Sequence, residues 1–302
     1  MCGIVGFLDK TQNKKRAVGQ TILEMLQALG CRGPDSAGVA LYGRRQDESI
    51  VLRIKLGENG VYNEKSAQIA ERVGTLGLLR ELTTTAEYLR LVVDADGNPQ
   101  ELERLIESVS DGVEVVSMGR KLEIVKQVGS PQNLDATYGI SKFVGTHGIG
   151  HTRLSTESRV DLSHSQPFWA HGYPDLAIVH NGHITNYHKL RRRYQQHGVK
   201  FYTDNDSEII GVYLAERLSR GMTLEEALKA SLIDLDGSFS CLAATADALG
   251  FVKDPFALKP LLFTETDAFV ALANEEIAIR SAFDCACEVR EAQAKEVRVW
   301  RR

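Results

Sequence analysis

The cysteine at position 2 can act as more than a packing residue. It is small enough for the initiator Met1 to be removed, which leaves a thiol and a free α-amine on one residue. Their ordinary pKa values, about 8.5 and about 7.7–8.0, lie close together. The amine can then take the thiol proton, directly or through a water, and Cys2 becomes a nucleophile carrying its own general base. A retained Met1 would acylate that base and block it. The remaining cysteines read as reduced thiols. Cys31 and Cys241 have no near partner, and Cys285-x-Cys287 is too tight for an ordinary zinc pair. All eight histidines lie between positions 147 and 197. His147 with His151, and His180 with His183, invite a metal-site reading, yet neither pair sits in a convincing helix on which ligands would converge. A metal-dependent hydrolase is the competing chemistry, and sensitivity to chelator separates the two.

The positioning elements follow from apolar periodicity. Cys2–Leu8 is short, apolar and bounded by glycine, which predicts a buried strand with the thiol at its head. Apolar residues at helical spacing predict a helix over Ala17–Leu29, stopped by Gly30. Arg32-Gly33-Pro34-Asp35-Ser36-Ala37-Gly38 has turn composition, and strands are expected near 38–43 and 49–55. The stretch 58–142 has its own apolar pattern: strands at Tyr88–Asp94, Val113–Met118 and Lys121–Val128, and a helix at Pro99–Val109. It reads as an inserted small α/β unit inside a domain spanning 1–302. Beyond it come a strand at Leu176–His180 ending at Asn181-Gly182, helices at Tyr187–His197, Asp206–Arg220 and Glu225–Leu235, then a strand-rich end. The glycine-rich stretches 33–38 and 147–150 are candidates for a loop that encloses substrate.

Six segments occur in a telling order: Met1-Cys2-Gly3-Ile4-Val5-Gly6, Arg32 to Gly38, His151-Thr152-Arg153-Leu154-Ser155-Thr156, Ser165-Gln166-Pro167-Phe168, His180-Asn181-Gly182, and Thr203-Asp204-Asn205-Asp206-Ser207-Glu208. The series resembles the class II glutamine amidotransferase domain, a member of the N-terminal nucleophile hydrolases. Asp254 to Leu261 resembles that family's Asp-Pro-x-Gly-x-Arg-Pro-Leu stretch, and Ala273-Asn274-Glu275 its Ala-Ser-Glu. The resemblance implies an α+β fold, an αββα four-layer sandwich, and hydrolysis of L-glutamine to glutamate and ammonia through a thioester on Cys2. It implies Asn181 and Gly182 as the oxyanion pair and Arg153 as the grip on the substrate α-carboxylate. Asp206 would pair with the α-ammonium, with Asp204 its rival. Thr156 falls on the substrate side and Arg32 supports the nucleophile. Glu157 stands where some relatives carry a histidine, and Lys259 where they carry an arginine. No cofactor or metal is expected.

Composition sets the outer limits. The chain has 302 residues, 43% hydrophobic and 25% charged, enough for a sizeable core and against disorder as the main state. Lys+Arg number 36 and Asp+Glu 40, a net charge of -4, which argues against nucleic-acid binding. No run of 18 apolar residues and no secretory signal is present, so a cytoplasmic protein without membrane contact is expected. The implied domain leaves no room for an ammonia-using domain. The expected partner is therefore a separate synthase subunit of the glutamate synthase-like type, related to N-methylglutamate synthase. A free-standing hydrolase of a γ-glutamyl amide and a non-catalytic regulatory subunit are the alternatives.

Overall fold

Strand alternation builds two stacked sheets with apolar side chains between them. In the computed structural model, residues 2–11, 17–44, 49–57, 60, 62–94, 98–154 and 160–302 are described. Near the N-terminus lie β1 (Gly3–Asp9), α1 (Val18–Ala28), β2 (Ser36–Tyr42) and β3 (Ile50–Lys55). The chain continues through α2 (Tyr62–Val73), β4 (Leu78–Thr85), β5 (Tyr88–Asp94), α3 (Pro99–Glu107), β6 (Glu114–Gly119), β7 (Leu122–Val128) and α4 (Pro131–Tyr138). The central part holds β8 (His147–Arg153), β9 (Phe168–Trp169), β10 (Ala177–Ile184), α5 (Tyr187–Gln196), α6 (Asp206–Ser219) and α7 (Leu224–Asp234). The end holds β11 (Gly237–Ala244), β12 (Ala248–Lys253), β13 (Leu262–Glu265), β14 (Phe269–Ala273), α8 (Glu276–Ala282), β15 (Arg290–Glu291) and β16 (Val297–Arg301).

One sheet has the order β15-β13-β14-β1-β8-β2-β7, and β1 is its middle strand. The second has the order β16-β12-β11-β10-β9. Along β10, Ala177 and Val179 enter the core shared with the first sheet, while Ile178 and Ile184 join the core under α5, α6 and α7. Successive strand residues point to opposite faces, so one strand serves both cores. Helices α1 and α8 pack on the first sheet and α6 and α7 on the second, which gives the αββα layering. Among the described residues no helix is long and apolar enough to cross a membrane.

Three stretches differ from expectation. Residues 147–150 form no loop: they open β8, a fully buried strand between β1 and β2. The glycines there serve packing. A Cβ on Gly150 would come 2.9 Å from Leu26, and one on Gly148 would come 2.8 Å from Leu41, so their absence lets α1 lie on the sheet. Ser36–Gly38 likewise belongs to buried β2. Asn181-Gly182 does not end its strand either, because β10 stays paired with β11 through Ile184.

A third sheet, β4-β5-β3-β6, packs with α2 and α3 over much of the stretch expected as an insertion. Its limits are not those of 58–142. Strand β3, before that stretch, pairs with β5 and β6, whereas β7, inside it, pairs with β2 of the first sheet.

Candidate functional site

The head of β1 lies where the two main sheets approach each other. Gly3 pairs with Thr152 of β8, which sets Cys2 beside the end of that strand. The Cys2 thiol lies 3.9 Å from the carbonyl oxygen of Leu154, and the Asn181 side-chain amide on β10 lies 3.4 Å from the carbonyl oxygen of Cys2. Arg153 is buried at the end of β8. Burial lowers the pKa of its guanidinium, while the neighbouring Cys2, Asp161 and Asp35 pull it back up. A buried cation within electrostatic reach of the thiol suits an anionic group held close to a nucleophile.

The turn before β2 presses on the same place. Gly33 crosses so close to Thr152 and Arg153 that an added Cβ would come 2.5 Å from the Thr152 carbonyl carbon. The next residue, Pro34, bridges to Arg153. Arg32 forms an ion pair with Glu275, just before α8. Asn274 accepts a hydrogen bond from the Ile4 backbone N–H, two residues from the thiol, and donates at 3.3 Å to the carbonyl of Pro260. The Ala273-Asn274-Glu275 segment therefore fastens both the strand headed by Cys2 and the Arg32 turn. The motif pointed to that segment but not to those two roles.

Asn181 and Gly182 are held by a polar cluster between β10 and α6. The Gln166 side chain accepts from the His180 N–H at 2.6 Å and donates to the His180 carbonyl at 3.1 Å and to the Ser207 hydroxyl at 3.0 Å. His180 Nδ1 lies 2.8 Å from that same hydroxyl. Gly182 has φ of 144°, and a Cβ there would strike the Ser238 carbonyl, so only glycine fits.

The Thr203–Glu208 motif divides its work. Glu208 accepts from the N–H groups of Tyr202 and Thr203 at 2.8 and 3.0 Å, and Asn205 caps α6 by accepting from the Ser207 N–H at 3.0 Å. Asp206 accepts from the Ile184 N–H at 2.8 Å, two residues beyond Gly182, with His180 and His183 3.8 and 3.6 Å away. The Asp204 side chain is 91% exposed. The fold thus ties Asp206, and not its rival, to the Asn181-Gly182 strand.

Cys2, Arg153 and Asn181 come together, Gly182 follows Asn181 on β10, Asp206 is tied to the same strand at Ile184, and Arg32 leads the turn whose Gly33 and Pro34 lie against Arg153. Thr156 and Glu157 lie outside the described residues, as does Met1. A cavity of about 600 Å³ lies between Gly57, Tyr62 and Glu87 on one side and Gln127, Val128 and Asp161 on the other, and Cys2 does not line it.

Of the two histidine pairs, His180 and His183 both lie beside Asp206, while His147 is engaged away from His151. His147 uses both ring nitrogens, with Thr146 and the Thr245 carbonyl each at 2.7 Å, and stacks on Tyr42. Among the described residues the metal-capable grouping is Glu103, Glu107 and His171, none of them in the pairs singled out.

A family model described as a glutamine amidotransferase domain matches residues 151–281. A candidate glutamine amidotransferase of Methanothermobacter thermautotrophicus is 37% identical over 99% of both chains. The glutamine amidotransferase-like protein GlxB of Rhizobium meliloti is 33% identical over 92% of this chain and 91% of its own. The solved glutamine phosphoribosylpyrophosphate amidotransferase of B. subtilis superposes with a TM-score of 0.64 at 19% identity. The match covers 99% of this chain and 47% of that one, so this chain spans about half of the solved structure. The chain belongs to the class II glutamine amidotransferases and carries their N-terminal nucleophile hydrolase sandwich.

Proposed function

We propose that the chain hydrolyses L-glutamine to glutamate and ammonia through a γ-glutamyl thioester on Cys2. The α-amine of Cys2 takes the thiol proton, and the sulfur attacks the side-chain amide carbon of glutamine. Negative charge gathers on the amide oxygen, where the Asn181 side-chain amide and the Gly182 N–H would donate. Collapse of this intermediate breaks the C–N bond, and the α-ammonium returns its proton to the departing ammonia. Water then attacks the thioester with the amine again as base, releasing glutamate and the thiol. Arg153 would hold the substrate α-carboxylate and Asp206 its α-ammonium, with Thr156 on the same side and Arg32 behind. The observation that carries this reading is the approach of the Asn181 amide to 3.4 Å from the Cys2 carbonyl, beside buried Arg153.

Intact-mass measurement after exposure to a glutamine-analogue electrophile tests it. A single adduct on a chain lacking Met1, absent in Cys2→Ala, is expected. A chain that keeps Met1 and still turns over glutamine would overturn it.

The ammonia is proposed to pass to a separate synthase subunit of the glutamate synthase-like type. In support, this chain matches the M. thermautotrophicus relative and GlxB nearly end to end, whereas its match to the amidophosphoribosyltransferase of Methanocaldococcus jannaschii covers 35% of that protein. The inserted unit, drawn from the sequence at 58–142, is proposed as the partner-facing surface. Its edge strand β4 exposes Leu78 and Leu82, an apolar edge suited to being covered. Leu78→Lys with Leu82→Lys on that strand should cost complex formation and coupled synthesis while glutaminase activity holds, and retention of both would end this proposal.

A further inference from the structure

Between α8 and β15 the chain holds two thiols together. Cys285 Sγ donates to Cys287 Sγ at 2.6 Å, and both side chains are half-buried. The segment is anchored at each end. Phe283 stacks on Phe269 with ring centroids 4.1 Å apart, and Arg290 and Glu291 pair with β13. Arg280, itself tied to Glu276 at 2.8 Å, donates to the Cys285 carbonyl at 3.0 Å and reaches Cys287 Sγ at 3.6 Å. Chain closure at both ends and a clamp in the middle keep the sulfurs in reach of each other.

The two sulfurs are not equivalent. Partial burial pushes the Cys287 thiol up, but hydrogen bonds from Cys285 and Thr264 and the charge of Arg280 outweigh it and leave its pKa lowered. The Cys285 pKa is raised, first by its hydrogen bond to Cys287 and then by burial. The Arg280 guanidinium, 3.6 Å from Cys287 Sγ, favours that sulfur as the thiolate, the attacking role in thiol–disulfide exchange. The other cysteines lack this arrangement: Cys241 is fully buried and Cys31 is exposed with no sulfur partner.

We propose that Cys285 and Cys287 form a redox-active dithiol that closes to an intrachain disulfide by exchange with small-molecule disulfides of the glutathione class. The Cys287 thiolate attacks one sulfur of the oxidant, forming a mixed disulfide and expelling one thiolate. Cys285 loses its proton and attacks Cys287 Sγ, forming the Cys285–Cys287 bond and expelling the second thiolate. The pair gives up two electrons and two protons, and one oxidant disulfide becomes two thiols. The site is separate from the Cys2 chemistry and stands or falls independently of it.

The test is equilibration of the full chain in graded mixtures of oxidised and reduced glutathione, acid quenching, alkylation of remaining thiols, and peptide mass mapping. The expected result is a 285–287 peptide that becomes two hydrogens lighter and unalkylated as the mixture turns oxidising, reversed by reductant, while Cys31 shows at most glutathione addition. Cys285→Ser should stall at glutathione on Cys287, and Cys287→Ser should acquire glutathione more slowly. Two cysteines alkylated independently in every mixture, or two single variants reacting at equal rates, would overturn the proposal.

Discussion

The Asn181 side-chain amide, on one sheet, sits 3.4 Å from the carbonyl oxygen of Cys2, on the other. This contact joins the two layers where the thiol lies and places a donor beside the proposed nucleophile. Asn181→Ala should lower kcat by about 10²–10³ with KM little changed, because the donor matters most when charge develops on the substrate oxygen. Steady-state glutaminase assays check this, and a loss carried entirely by KM would contradict the oxyanion role.

Asp206 accepts from the Ile184 N–H, and substitution can separate that role from its proposed pairing with the substrate ammonium. Asparagine can still accept from the Ile184 N–H but cannot neutralise an ammonium. Asp206→Asn should raise KM for glutamine roughly 10–100-fold, the worth of a charged hydrogen bond, while thermal stability holds. Asp204→Asn, on an exposed side chain, should change neither. The reverse pattern would transfer the role to Asp204.

Arg32 and Glu275 form an ion pair that is only partly shielded, so Glu275→Gln should cost less than about 1 kcal/mol of stability. Its effect should appear in kcat/KM, since Arg32 leads the turn lying against Thr152 and Arg153. In a double-mutant cycle, Arg32→Gln with Glu275→Gln should lose no more than Arg32→Gln alone. Additive losses would mean that the two residues act separately.

Burial depresses the pKa of His147 and of His151 to about 3, aided at His151 by Arg153 and His180 and at His147 by Lys121 and Arg302. Unfolded, each histidine titrates near about 6.5. Between these values the unfolded chain binds protons that the fold refuses. The stability these sites contribute is therefore complete above about pH 6.5 and is lost as pH falls toward about 3. The slope is about 1.4 kcal/mol per pH unit for each histidine. The His180 backbone is the one polar group that acts on the His151 ring as a hydrogen-bond partner among the described residues, and the contact is too loose to meet ordinary geometry, so His151→Leu should fold. Urea unfolding at several pH values should show a shallower acid slope for that variant, and an unchanged slope would remove His151 from the account.

Ala257 stands where the resembled pattern carries glycine, and its φ is 54°. The left-handed conformation costs an L-residue about 1–2 kcal/mol, offset in part by the greater chain entropy that glycine loses on folding. Ala257→Gly should raise stability by up to about 1 kcal/mol in denaturant melts. A loss of stability would show that the alanine methyl has packing worth more than the strain.

Local pattern in the sequence determined most of the elements and the order of the motifs. Short apolar runs such as Tyr88–Asp94, and helical spacing such as Val18 to Leu29, depend only on near neighbours, and they recur in the structure as β5 and α1. Strand β8 escaped because its glycines and histidines carry no apolar alternation. Their purpose is visible only once α1 lies against them. The capture of β3 by the third sheet and of β7 by the first depends on pairing partners, which strand composition does not name. Asn274 holding Ile4 and Glu275 holding Arg32 bridge more than 240 positions. Residue type placed a thiol at position 2, the proposed nucleophile. Long-range packing of two sheets decided that Asn181, Arg153 and the strand tied to Asp206 would meet it, because their convergence rests on contacts between segments far apart in the chain.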